Sequence, residues 1–190
     1  HLQRLVLSDH PDVKKRILRL LGSISDQIEN ITGISMSFSR FAEMPLPAHE
    51  EFDMVATVKG VPELEKGTPG VYFTSTEEEL WVRGDSRTIS RTLTHLIKTG
   101  LESVPEGREP RITVAVSKNE TSGIIEVRDN GTGIPEDKKE KVFRPTFSEK
   151  DEEAGFGLSI SRISIEHFGG NIWFDSEEGE GKTFYIQLML

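Results

Sequence analysis

The residues best suited to chemistry lie in the C-terminal third, where an aspartate precedes two closely spaced glycines. A strand-like run over residues 123–129 ends in Asp129, and Asn130-Gly131-Thr132-Gly133 follows. The strand would bring the Asp129 carboxylate to the edge of a sheet, and the glycines would let the backbone turn tightly against a ligand. Such a carboxylate accepts a hydrogen bond from an exocyclic amine, as in adenine. The same residues also suit an ordinary hairpin turn, so this motif alone leaves both interpretations open.

Two further glycine clusters follow along the chain. Gly155-Phe156-Gly157-Leu158 precedes a predicted helix, and backbone N–H groups at a helix N-terminus attract phosphate. The alternative is a helix entry in which the glycines only permit close packing. Gly179-Glu180-Gly181 lies in the last predicted hairpin, where glycines most often serve the turn alone.

Composition restricts the possible partners. The net charge of -9 argues against nucleic acid or an anionic membrane surface as a main partner. The chain has no cysteine, which excludes disulfides and thiolate metal sites. No apolar run approaches the roughly 20 residues that span a bilayer. The sequence starts within a helix-like pattern, so we expect a fragment whose upstream segments, including any membrane span, lie outside it.

The N-terminal region predicts helices with a narrow apolar seam. Residues 1–7 resemble the end of one helix, and a second helix follows the turn at residues 8–11 until Pro45 and Pro47 end it. The seam consists of Ile17, Leu21, Ile24, Ile28, Ile31 and Phe38. A seam of this kind suits a partner helix pair, so we predict a homodimer through the N-terminal helices. The alternative is that the helix packs on the following domain.

The remainder predicts an α+β fold, a two-layer sandwich in which a mixed sheet is covered by helices. Asp85 is the predicted N-cap of a central helix that extends to Val104. Strands are predicted around an acidic turn at residues 71–74 and 79–84, over 111–116 and 123–129, and in a hairpin at 171–176 and 183–188. Residues 52–58 predict a strand, or a strand that runs into a short helix, and 138–143 and 155–168 predict helices. The expected domains are a partial helical dimerisation segment at 1–46 and a second domain at 47–190.

The order and spacing of these motifs resemble the GHKL family of ATPases and, within it, the sensor histidine kinases. Residues 129–135 resemble the first glycine box of that family, 142–150 its phenylalanine box, 155–158 its second glycine box and 176–184 its last one. Residues 37–45 are similar to the end of the dimerisation helix in NtrY-like nitrogen-regulation kinases. The resemblance covers nearly the whole chain.

The resemblance implies an ATP site between the central helix and a lid at about residues 146–154. Asp129 would read the adenine amine, and Gly131 and Gly133 would shape the adenine pocket. The other implied cofactor-binding residues are His95, Thr99, Lys150, Gly155, Gly157, Leu158 and Thr183. The γ-phosphate would pass to a histidine on an upstream helix and then to an aspartate of a response regulator. His1 and His10 lack the surroundings of that histidine, so we expect no catalytic residue in this sequence. We expect a cytoplasmic location, as part of a membrane-bound sensor.

Several positions depart from the family pattern. His95 and Thr99 stand where the family has two asparagines, the second of which holds Mg²⁺, so Thr99 is a weak metal ligand candidate. Glu153 replaces a lid glycine, and its carboxylate would repel a triphosphate. Lys182 follows Gly181 where the family usually has threonine, and Thr183 comes one place later. These departures leave a second hypothesis open, namely a non-catalytic kinase-like module with weak or no ATP binding, which acts as a dimeric scaffold or regulator.

Overall fold

The computed structural model describes residues 15, 17–25, 27–28, 31, 49–143 and 157–190, and the chain divides into two compact units. In the smaller unit, the described residues between 15 and 31 are all helical. The apolar seam of this helix is solvent-exposed, with Leu21 48%, Ile24 41%, Ile28 58% and Ile31 67% accessible. The predicted extension to Phe38 and the predicted domain boundary at 46/47 lie outside the described residues. Among the described residues, no helix combines the length and hydropathy needed to cross a membrane.

The larger unit contains seven strands and five helices within its described residues. In chain order they are β1 Glu50–Asp53, α1 Met54–Lys59, α2 Pro62–Glu65, β2 Val71–Ser75, β3 Trp81–Gly84, α3 Ser86–Glu102, β4 Ile112–Lys118, β5 Ser122–Arg128, α4 Glu136–Lys139, α5 Gly157–His167, β6 Asn171–Glu177 and β7 Gly181–Met189.

The main sheet has five strands in the order β2-β4-β5-β7-β6. β2 is parallel to β4, and all other neighbours are antiparallel, so the sheet is mixed. Successive side chains of a strand point to opposite faces. The inward positions are apolar and buried, as in Ile125 and Val127 of β5 and in Phe184, Ile186 and Leu188 of β7. This face packs against α3 and α5, which confirms the predicted α+β two-layer architecture.

The central helix α3 is fixed by its start and by its apolar face. Asp85 is the N-cap, and its carboxylate accepts hydrogen bonds from the backbone N–H groups of Arg87 and Thr88. This confirms the predicted cap, which satisfies N–H groups that have no partner within the helix. Ile89, Leu93, Leu96 and Ile97 are buried against the sheet and α5. The helix ends at Glu102, two residues before the predicted end.

Two sequence-based expectations need correction. The strands at residues 71–74 and 79–84 do not form a hairpin, because β2 pairs with β4 in the main sheet whereas β3 pairs with β1 in a separate two-stranded sheet. The short helix predicted at residues 138–143 lies earlier, at Glu136–Lys139. Pro135 has the extended backbone of an N-cap, and two acidic residues in the first turn suit the positive end of the helix dipole.

Asp53 joins the small sheet to α1. Residues 52–58 follow the second of the two predicted alternatives, a strand that runs into a short helix. The Asp53 carboxylate accepts the N–H of Val55, as an N-cap, and the N–H of Leu80, both at 3.0 Å. The backbone N–H of Met54 donates to the carbonyl of Leu80 at 2.8 Å. One side chain therefore fixes both the start of α1 and the entry into β3.

Replacement of Asp53 with alanine should lower the free energy of unfolding by about 1–3 kcal/mol, because a helix cap is lost and two N–H groups lose their acceptor. Asp53→Asn keeps an acceptor oxygen and should retain most of the stability. Asp137→Ala, in the first turn of α4, is the control and should change the free energy of unfolding by less than about 0.5 kcal/mol. Urea denaturation monitored by circular dichroism measures all three. Equal effects of Asp53→Ala and Asp137→Ala would contradict this role of Asp53.

Candidate functional site

Asp129 lies immediately after β5, beneath the C-terminal half of α3. Its side chain is buried, and Oδ1 accepts the backbone N–H of Gly131 at 2.9 Å. A Cβ placed on Gly100 of α3 would lie 3.3 Å from the Cβ of Asp129. A glycine at that point of α3 therefore lets the helix approach the carboxylate closely.

The glycine turn after Asp129 packs directly on the end of α3. The backbone N–H of Thr132 donates to the carbonyl of Ser103 at 3.0 Å. A Cβ on Gly131 would lie only 2.0 Å from Oγ of Ser103 and 2.9 Å from Oδ1 of Asp129, so any other residue there would displace one of these two side chains. Gly133, with a φ of 69°, continues the turn.

The last hairpin is joined to this glycine turn by several hydrogen bonds. The N–H of Gly179 donates to the carbonyl of Thr132 at 2.7 Å. Arg108 Nη1 donates to the carbonyls of Asn130 at 2.7 Å, Gly131 at 3.2 Å and Gly179 at 3.3 Å. The first and last glycine boxes predicted from the sequence therefore meet in space as one hydrogen-bonded unit.

Gly181 lets β7 begin against Asp129. It has a φ of 112°, which L side chains rarely adopt, and a Cβ there would lie 2.2 Å from the carbonyl oxygen of Asp129. The backbone N–H of Asp129 donates to the carbonyl of Lys182 at 3.0 Å. The start of β7 and the end of β5 are thereby held side by side.

Lys182 forms a buried ion pair with Asp129. Its Nζ lies 3.1 Å from Oδ2 of Asp129, and the two side chains are only 6% and 4% exposed. Nζ also donates to Oγ of Ser103 at 3.0 Å, and the Ser103 hydroxyl donates to the carbonyl of Gly100 at 2.8 Å. Each carboxylate oxygen of Asp129 therefore has a donor within the chain, a backbone N–H on Oδ1 and an ammonium on Oδ2.

Thr183 lies on the opposite side of β7 from Lys182. It pairs with the exposed Arg128, and both border a cavity of about 280 Å³. Asp175, Glu177 and Glu180 line this cavity together with Asp129 and Lys182, so its carboxylates outnumber its cations and would repel a triphosphate.

Of the other cofactor-binding residues that the resemblance implies, His95, Thr99, Gly157 and Leu158 lie on α3 and α5. His95 and Thr99 are half-buried and stand four residues apart, on one face of α3. Gly157 is the first residue of α5, and Leu158 is half-buried and packs against the core. Lys150, Gly155 and Glu153 lie outside the described residues. The described part of the chain contains no group of three or more His, Asp or Glu side chains that could hold a metal ion.

Phe143, in the segment that resembles the phenylalanine box, contacts an aromatic cluster of the sheet. Its ring centroid lies 5.8 Å from that of Phe174 and 6.4 Å from that of Phe184. The guanidinium of Arg162 on α5 stands 5.1 Å from the centre of the Phe143 ring. Phe143 therefore links α5 to the end of the sheet.

A mixed sheet under two helices, with an aspartate–glycine turn at the end of a central strand, defines a nucleotide-binding domain of the GHKL type. A family model described as "Histidine kinase-, DNA gyrase B-, and HSP90-like ATPase" matches residues 84–190, and the chain belongs to this family. Curated relatives named as sensor histidine kinases and solved catalytic domains of histidine kinases also match, so the domain is of the histidine-kinase type.

Curated relatives match most of this chain. It is 31% identical over 180 residues to the nitrogen regulation protein NtrY of Azorhizobium caulinodans. This alignment covers 90% of the chain and 22% of the relative. It is 28% identical over 181 residues to sporulation kinase B of Bacillus subtilis. This alignment covers 93% of the chain and 40% of the relative. The chain therefore spans about one to two fifths of the length of these two relatives.

Solved structures share the fold. The catalytic domain of the histidine kinase ThkA, in a nucleotide-free form, matches with a TM-score of 0.63 and 29% identity, over 75% of this chain and 97% of that one. ThkA in complex with the response regulator protein TrrA matches with a TM-score of 0.65 over 99% of this chain and 55% of that one. At 24% identity, the second match concerns the fold alone.

The sequence interpretation missed the partner of Lys182. It noted lysine at a position where the family has threonine, but it did not connect that lysine with Asp129. The two-residue alternation of β7 could have indicated this partner. Phe184, Ile186 and Leu188 are the inward positions, and Lys182 lies on the same face two residues before Phe184. A lysine at an inward position needs a carboxylate partner. The contact between Ser103 and the Lys182 ammonium could not be predicted from any pattern in the sequence.

Single replacement of either partner, by Lys182→Met or Asp129→Asn, should lower the free energy of unfolding by about 3–5 kcal/mol, because the remaining charge stays buried without its partner. The double variant should lose clearly less free energy of unfolding than the sum of the two single losses. Urea denaturation of the four proteins measures this coupling.

The pair between Lys118 and Glu77 provides the control for this cycle. Its atoms are 2.8 Å apart, but the side chains are 49% and 24% exposed. Its coupling energy, from Lys118→Met and Glu77→Gln, should be about 0–1 kcal/mol because solvent screens the charges. Additive effects at Lys182 and Asp129 would be inconsistent with a buried pair in solution.

Proposed function

We propose that the chain is the ATP-binding domain of a two-component sensor histidine kinase. The full-length protein transfers the γ-phosphate of ATP to a histidine on an upstream helix and then to an aspartate of a response regulator. The observation that carries this proposal is the buried Asp129 carboxylate, which lies at the end of β5 between two hydrogen-bonded glycine turns. A response regulator is bound to ThkA, a protein of the same fold, which supports the second transfer.

The residues of this chain would have separate tasks in the reaction. Asp129 would accept the adenine amine, and Gly131 and Gly133 would let the turn pack closely enough to shape the adenine pocket. Phosphoryl transfer depends mainly on positioning and charge stabilisation. When bound, Mg²⁺ neutralises charge on the phosphates, and it prefers oxygen ligands. The Thr99 hydroxyl on α3 is the oxygen that this chain would offer, one helical turn beyond His95.

A second candidate function is a non-catalytic regulatory module with weak nucleotide binding. Two observations favour it. The Asp129 carboxylate is already paired with Lys182 at 3.1 Å, and α3 carries threonine where the family has the asparagine that holds Mg²⁺. A module of this kind would keep the kinase fold and the helical dimer without the transfer.

The exposed seam of the N-terminal helix supports the proposal of a homodimer. Leu21, Ile24, Ile28 and Ile31 lie three and four residues apart, on one face. Each is at least 41% accessible within the chain, which leaves apolar area for a second copy to cover.

Titration of the chain with ATP and Mg²⁺ by calorimetry tests the proposed function. We expect a dissociation constant tighter than about 1 mM, equivalent to about 4 kcal/mol of binding free energy. Thr99→Asn should strengthen Mg-ATP binding several-fold, because an amide oxygen is a better Mg²⁺ ligand than a hydroxyl.

Thr94→Asn makes the same substitution on another face of α3 and should leave the affinity unchanged. If no variant binds ATP, the kinase proposal fails and the regulatory module remains. If Thr99→Asn and Thr94→Asn give the same affinity as the unaltered chain, Thr99 does not contact the metal.

Sedimentation analysis tests the dimer. Ile28→Lys introduces a charge into the seam and should convert a dimer into a monomer, because an ammonium is costly in an apolar interface. Ser23→Lys adds the same charge about 120° around the helix from the seam and should leave the dimer intact. A monomeric unaltered chain at concentrations of about 100 μM would argue against this interface.

A further inference from the structure

The Lys182–Asp129 pair lies at the position where the proposed function needs a free acceptor. An adenine amine is recognised by a carboxylate that can accept its N–H. In this chain Oδ1 of Asp129 accepts from Gly131 at 2.9 Å and Oδ2 faces the Lys182 ammonium at 3.1 Å. The carboxylate is 4% exposed, so a ligand meets an acceptor that is already engaged.

Lys182 is held in this position by more than the ion pair. Its side chain projects from an inward position of β7, next to the buried Phe184, and it is 6% exposed. Nζ also donates to Ser103 Oγ at 3.0 Å, and Ser103 is anchored to Gly100 at 2.8 Å. Movement of the ammonium out of the site would separate a buried pair and leave the Asp129 charge without a cation.

An amine of a nucleobase competes poorly with this ammonium. The base amine is a neutral donor, whereas the Lys182 ammonium also neutralises the buried Asp129 carboxylate, which would otherwise lie without a cation. The ammonium also occupies volume beside the carboxylate. Threonine, which stands here in the family, has a shorter side chain without charge.

We propose that Lys182 is an internal occupant of the base-binding site and sets the affinity of this chain for adenine nucleotides. Its ammonium takes the acceptor of Asp129 that would otherwise receive the exocyclic amine. The proposal rests on the proposed function, because it assumes that Asp129 is the residue that reads the base. It predicts weak binding by the unaltered chain and a gain in affinity when the ammonium is removed.

The test is calorimetric titration of the whole 190-residue chain with Mg-ATP, comparing the unaltered protein with Lys182→Thr. The variant should bind ATP at least about tenfold more tightly, because the amine gains an unoccupied charged acceptor. Addition of Asp129→Asn to Lys182→Thr should abolish the gain.

Lys118→Thr is the matched control. It removes the same charge and also breaks a lysine–carboxylate pair, but it lies at the far end of β4 from Asp129. Its ATP affinity should stay within about twofold of the unaltered chain, since screening makes distant surface charges weak. A gain equal to that of Lys182→Thr would overturn the proposal, because net charge would then explain both.

The outcomes separate this inference from the proposed function. If the unaltered chain binds ATP as tightly as Lys182→Thr, the inference is wrong and the kinase proposal stands. If only Lys182→Thr binds, the inference holds and the unaltered chain is the regulatory module. If neither binds although Lys182→Thr is folded by circular dichroism, both proposals fail.

A second measurement uses the unaltered chain and does not depend on the folding of a variant. In protein with ¹⁵N-labelled lysine, the buried ammonium of Lys182 should give a slowly exchanging NMR signal in the absence of nucleotide. Saturation with ATP should shift that signal or remove it, because the base must share or displace the ammonium. An unchanged signal in the presence of bound ATP would overturn the proposal.

Discussion

The buried ion pair between Lys182 and Asp129 is the constraint around which the candidate site is organised. In a medium of low dielectric constant, each charge is tolerable only with its partner and with its remaining hydrogen bonds satisfied. The surrounding structure meets this requirement from three directions. The turn after β5 supplies the N–H of Gly131, the C-cap of α3 supplies the hydroxyl of Ser103, and β7 supplies the ammonium. Arg108 then holds the two glycine turns together through three carbonyls.

The ion pair shows that the departure from the family pattern extends to the Asp129 carboxylate itself. In the sequence, Asp129 and the glycines after it match the family pattern, whereas Thr99 and Glu153 depart from it where Mg²⁺ and the triphosphate would bind. In the structure, Asp129 and the glycines form the expected turn, but the carboxylate carries an internal cation. A motif can therefore be complete in sequence while its functional atom is engaged elsewhere. The sequence records which residue is present, but not which donors surround it.

Local signals made most of the fold predictable. The Asp85 cap, the apolar face of α3 and the alternation in β4, β5 and β7 each involve residues close in sequence, and each was predicted correctly. The separation of β2 and β3 into two sheets was not predicted, because β2 pairs with β4 some forty residues away. Nothing local to β2 encodes that choice. The ion pair is also a long-range contact, between residues that are 53 positions apart in the sequence.

The one-residue displacement of threonine in the last glycine box has a geometric consequence that sequence similarity hides. Side chains alternate between the faces of a strand, so a hydroxyl moved from position 182 to position 183 reaches the opposite face of the sheet. Position 182 still points toward Asp129, and it holds lysine. The displacement therefore both removes a small neutral donor from the base site and introduces a charged one. A buried ammonium requires the carboxylate, and the proposed function requires that same carboxylate for the base, so these two demands on Asp129 compete directly.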